Sequence, residues 1–177
     1  MQPTEFDHMP TSRQREWKEI ILTLTRNEIT FAVDFETAKV AQVLASSAEK
    51  EKQRRVSDFQ TSEQTKDWFD QQVVSAVAEL MSTAGNMAYR LQTTTADDRV
   101  DWKRTEWNII VHVSPRWLGT PEQAARFATD YVSAYCLARW YTMVDPARAA
   151  TYEARASRCA AKFRDVITRS FVPTQFW

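Results

Sequence analysis

Two periodicities divide the first third of the chain. From Lys18 to Phe35 the apolar residues take alternate positions, Ile20, Leu22 and Leu24 and then Ile29, Phe31, Val33 and Phe35, a period that predicts two strands. Arg26-Asn27 stands between them at hairpin spacing, and Asn tolerates the positive φ that such turns require. From Glu36 the spacing becomes helical, with Ala38, Val40, Ala41, Val43, Leu44 and Ala45 covering about three turns. It dissolves in EKEKQRR, Glu49 to Arg55, whose alternating charges read as a solvated face or an exposed loop.

Thr61 followed by Gln64 has the form of a capping box, so a helix is expected to begin there. Its apolar stripe is Trp68 or Phe69, Val73, Ala76, Val77, Leu80 and Ala84, and Gly85-Asn86 is the expected stop because left-handed φ is cheap at glycine. Met87 to Thr94 and Glu106 to Ser114 lean towards strand, the second through alternation of Trp107, Ile109, Val111 and Val113, with His112 on its other face. Thr120-Pro121-Glu122-Gln123 combines an N-cap hydroxyl, proline at the first helical position and a closing Gln, predicting a helix to about Val144. Its apolar residues cover more than one stripe, which makes it central. Asp145-Pro146 then ends that helix and starts another, with Asp145 as cap, so the two form an αα-hairpin. The second arm is expected to bury Tyr152, Ala156, Cys159 or Ala160, Phe163 and Ile167, while Ala149, Ala150, Ala154 and Ala161 allow a neighbour to approach closely. The fold class expected is α+β, mainly α: an antiparallel bundle of about four helices with a small antiparallel sheet, in one domain spanning 1–177.

Composition narrows the chemistry. Lys plus Arg equals Asp plus Glu at 23 each, so the net charge gives the whole molecule no long-range attraction to nucleic acid or an anionic membrane. No apolar run approaches the roughly 20 residues of a spanning helix, and MQPTEFDHMP has neither the basic nor the apolar region of a signal peptide; a cytoplasmic protein is expected. With only two glycines, Gly85 and Gly119, dinucleotide-binding and P-loop readings fall away, because clustered glycines are what let a backbone close on phosphate.

His8, His112, Cys136 and Cys159 lie too far apart in sequence for a local zinc motif, and the two cysteines read as buried small hydrophobes. Asp97-Asp98 and the trio Asp67, Asp70 and Glu79 read as acids of solvated surfaces, although a carboxylate enzyme remains an alternative. The expectation is therefore a protein with no catalytic residues, no metal and no cofactor. What stands out is aromatic weight: seven Trp, five Tyr and nine Phe. Trp102 beside Lys103-Arg104, and Trp117 beside Arg116, fall in expected loops, a combination favoured at protein–protein contacts because a large ring loses little entropy when fixed and Arg stacks on it. The final segment, Phe171-Val172-Pro173-Thr174-Gln175-Phe176-Trp177, is too short and Pro-interrupted for a helix yet ends on two large aromatics, and it is expected to dock on its own domain or on a neighbouring subunit. The candidate interface is Trp102, Lys103, Arg104, Arg116, Trp117, Phe171, Phe176 and Trp177.

The order of these elements carries a resemblance. A strand leading into Ser114-Pro115, a Pro-started helix with FATDYVSAYCLARWY, a tight turn, and a second helix with TYEARASRCAAKF together resemble the αα-hairpin core of head-to-tail connector (adaptor) proteins of tailed bacteriophages and prophages. It extends over Met87 to Phe171. The resemblance implies a non-enzymatic subunit of a homo-oligomeric ring in the virion neck, made in the bacterial cytoplasm. Such a subunit would contact the portal protein and the next neck or tail component, and would surround the channel for double-stranded DNA, touching it without specificity. No membrane and no small-molecule substrate are implied. The alternative is a cytoplasmic protein–protein interaction module that forms no ring.

Overall fold

A computed structural model describes residues 17–45, 63–85, 88–92 and 105–169. The elements run β1 (Lys18–Thr25), α1 (Arg26–Ala45), α2 (Glu63–Ala84), β2 (Ala88–Gln92), β3 (Glu106–Val113), α3 (Pro121–Val144) and α4 (Pro146–Thr168). The fold is α+β and mainly α, with the C-terminal helices forming a hairpin. The expected capping residue Thr61, the charged run at 49–55, the residues 97–104 and the tail 171–177 lie outside the described residues.

One element departs from the periodicity. The stretch 29–35 is helical, part of the 20-residue α1, and no hairpin forms. A period-two run and a helical stripe share every fourth residue, and here the shared pair decides: Ile29 and Val33 are fully buried together with Val40 and Leu44, while Phe31 and Phe35 face solvent. The local signal for this helix is Thr25-Arg26-Asn27-Glu28, a capping box, in which the Thr25 hydroxyl accepts the Glu28 backbone N–H at 3.4 Å. The start is pinned again by the Arg26 backbone N–H, which donates to the Thr105 carbonyl at 2.8 Å. Ala38 and Val43, read as apolar-face residues, are exposed.

β1 therefore finds its partner far along the chain. The sheet order is β1-β3-β2, antiparallel throughout, with Leu22 opposite Ile109 and Leu24 opposite Trp107. β2 joins the other edge of β3 with an irregularity between Ala88 and Arg90. One face of β1 and β3 buries Ile20, Leu22, Leu24, Trp107, Ile109, Val111 and Val113 in the same core as the helices.

α3 lies at the centre, touching the other three helices and β1. Its start matches the local chemistry: Thr120 is in extended conformation, its hydroxyl accepts the Gln123 N–H at 3.2 Å, and Pro121 opens the helix. α2 ends where Gly85 takes φ 60°. The α3–α4 turn follows its expected position with different capping. The Asp145 carboxylate makes no backbone cap; it binds the Arg148 guanidinium at 3.1 Å, and the turn is closed by the Asp145 N–H donating to the Tyr141 carbonyl at 2.7 Å. Tyr141 and Tyr152 stack across the hairpin at 5.2 Å, and Trp68 of α2 meets Trp140 edge-on at 5.9 Å. On α4, Ala149, Tyr152, Ala156, Phe163, Val166 and Ile167 are buried and Cys159 and Ala160 partly so. Of the alanines expected to let a neighbour approach closely, Ala149 is buried and Ala150, Ala154 and Ala161 face outward. Glu36 fastens α1 to this arm, accepting from the Tyr152 hydroxyl and from Arg155, each at 3.4 Å.

Candidate functional site

Of the residues picked out as an interface, Arg116 and Trp117 fall within the described chain, and the structure separates their roles. Arg116 is exposed on a turn closed by the Trp117 N–H donating to the Ser114 carbonyl at 2.9 Å. Trp117 points inward. Its indole N–H donates to the Val166 carbonyl at 2.7 Å and its ring packs on the core, so it clasps the loop before α3 to the end of α4. The Leu118 N–H bonds the Arg169 carbonyl at 3.1 Å beside it. Gly119 is required by that clasp, since a Cβ there would come within 2.6 Å of the indole carbons Cε2 and Cζ2. Gly119→Ala is therefore expected to displace the ring and cost about 1–3 kcal/mol. Trp117→Phe, which keeps the packing and loses the donor, is expected to cost about 1 kcal/mol. Urea titration of both variants checks the order.

The acids do not form the solvated trio that helix spacing suggested. Asp67 is exposed, but Asp70 is buried and held by Arg26 through two contacts, Nη1 to Oδ2 at 3.0 Å and Nη2 to Oδ1 at 2.9 Å. His112 sits 3.7 Å from Glu19 on the outer sheet face. Cys136 is completely buried and burial pushes its thiol far up, with the nearby Asp70 carboxylate adding to the effect; Cys159 is raised by the same cause and the two are not joined. Among the described residues no three His, Cys, Asp or Glu side chains converge as metal ligands.

Two surface features were not picked out from the sequence. One is on α1: Phe31 and Phe35, 72% and 60% exposed, stack on each other at 6.2 Å on the face turned away from the core. Their spacing of four is visible in the sequence, but strand alternation absorbed it. The other is a cleft of about 430 Å³ between α2, α3 and α4. Its α4 wall is low because Ala156, Ser157, Ala160 and Ala161 are small, and that row becomes a cleft only where residues of α2 and α3 supply the other walls.

The cleft is rimmed by charge and phenol. Burial raises the Tyr131 hydroxyl well above its ordinary range, and the Glu79 carboxylate beside it acts in the same direction, so the phenol remains a neutral donor. Tyr135 accepts from Arg139 Nη2 at 3.1 Å while the same guanidinium lies 4.9 Å over its ring, and that hydrogen bond is the main cause raising the Arg139 pKa above its already high ordinary value. Glu153 and Arg164 stand on the α4 wall. Phenol hydroxyls, fixed charges of both signs and a shallow apolar floor suit recognition of an amphipathic surface.

Comparison of the chain with protein-family models, curated proteins and solved structures found no match, so the fold and these two surface features carry the functional reading.

Proposed function

We propose that the protein is a non-enzymatic structural subunit that assembles with copies of itself into a ring, as a head-to-tail connector of a tailed phage or prophage joining portal to tail components around the DNA channel. The observation that carries this reading is the Phe31–Phe35 stack, two large aromatic side chains held in water on a helix well fixed from behind. Full burial of such a side chain is worth roughly 1.5–3 kcal/mol, so a partner surface that covers both has a strong driving force. Ile21, Leu118 and Met143 add more than half-exposed apolar side chains on other elements, as expected of a subunit with several neighbours. The αα-hairpin, with its Pro-started central helix, agrees with the element order on which the resemblance rests. No described helix is long and apolar enough to cross a membrane.

The test is the mass of the full chain in solution at micromolar concentration, alone and mixed with portal protein, read by mass photometry and electron microscopy. A single closed species of many subunits is expected. A chain that stays monomeric in both mixtures, or stops at a dimer, removes the ring reading and leaves a simple interaction module.

A further inference from the structure

We propose that the subunits join by a heterologous contact in which the outward face of α1 lies antiparallel in the α2–α3–α4 cleft of the next copy, an inference that rests on the ring reading above. Size is the first argument. A benzene-sized ring fits a cavity of about 150 Å³, so two phenyl groups need about 300 Å³, and the cleft provides about 430 Å³.

Charge spacing is the second argument. On α1, Glu28 and Lys39 are exposed and bracket Phe31 and Phe35; on α4, Glu153 and Arg164 bracket Ser157 and Ala161. Each pair is eleven residues apart, three helical turns or about 16.5 Å at 1.5 Å per residue. With the helices antiparallel, Glu28 meets Arg164 and Lys39 meets Glu153, while Phe31 falls over Ala161 and Phe35 over Ser157. Parallel docking would set like charges against each other at both ends. None of these four side chains takes part in a salt bridge among the described residues.

Position is the third argument. α1 is bonded to the Tyr152–Arg155 side of α4, and the cleft opens on the α2 side, so knob and groove occupy different faces of one subunit. A contact between unlike faces repeats from copy to copy and closes as a ring when the rotation allows it.

Two exposed-surface variants separate the halves of the contact: Phe31→Ala with Phe35→Ala removes the knob, and Ser157→Trp fills the groove. Each alone is expected to weaken assembly on the order of a hundredfold with an unchanged helical circular-dichroism signal. Mixed in equal amounts they are expected to form a one-to-one dimer and stop, because the mixture offers one intact knob and one open groove. Charge reversal gives a second measurement that leaves the apolar parts alone: Glu28→Arg or Arg164→Glu weakens assembly, and both changes in one chain restore it. Normal rings from the Ser157→Trp chain, or no recovery in the doubly reversed chain, overturn this contact while leaving the ring reading in place. A wild-type chain that forms no ring, alone or with portal protein, fails the ring reading itself and takes this contact with it.

Discussion

Replacing Asp70 by alanine is expected to cost about 3–5 kcal/mol of folding stability, toward the lower end. Asp70 is 4% exposed and its carboxylate receives both Nη groups of Arg26, the first residue of α1, so the pair fixes the start of one helix on the flank of another. Its removal leaves a guanidinium in a site too dry to hydrate it fully. The Arg26 side chain keeps 16% of its surface in contact with water, and that residual hydration is why the lower figure is favoured. Replacing both partners by apolar residues, Arg26→Met with Asp70→Leu, is expected to recover much of the loss, because neither charge is then held out of water. Urea unfolding with an unchanged slope measures it. A loss below about 1 kcal/mol for Asp70→Ala would mean that the pair is solvated like a surface salt bridge.

Trp107→Ala is expected to be as damaging, about 3–5 kcal/mol, through the void it opens. Trp107 is the largest fully buried side chain among the described residues, and it sits on β3, the central strand that joins β1 to β2. Opposite it on β1 is Leu24, also fully buried, in the core shared with the helices. Its indole N–H has no acceptor among the described residues. The ring area therefore carries the stabilisation, and Trp107→Phe is expected to lose less than half as much as the alanine variant. Thermal and urea unfolding of the two variants distinguish packing from hydrogen bonding: equal losses would show that the indole nitrogen matters and the ring does not.

Asp70 and Trp117 show why the site was harder to read than the elements. Asp70 lies in a run, DWFDQQ, whose polar residues look alike in sequence. Burial of Asp70 and exposure of Asp67 follow from the place where Arg26, 44 residues earlier, crosses α2. Trp117 looked like an exposed loop tryptophan, and the acceptor that turns it inward is 49 residues away on α4.

Where chain chemistry within four or five residues sets the outcome, the sequence alone determined it. The Thr120-Pro121-Gln123 start, the Gly85 stop, the break at Asp145-Pro146, and the buried stripes of α2 and α4 all follow from capping, φ preference and helical period. The same local reading at Thr25…Glu28 would have found α1. Tertiary structure alone decided that β1 pairs with β3, that Asp70 is buried while Glu28 and Lys39 are not, and that a row of small α4 side chains becomes the wall of a cleft. The reason is physical: a cap or a helical stripe is an energy of neighbouring residues, whereas pairing, burial and concavity depend on which distant surfaces the whole chain brings into contact.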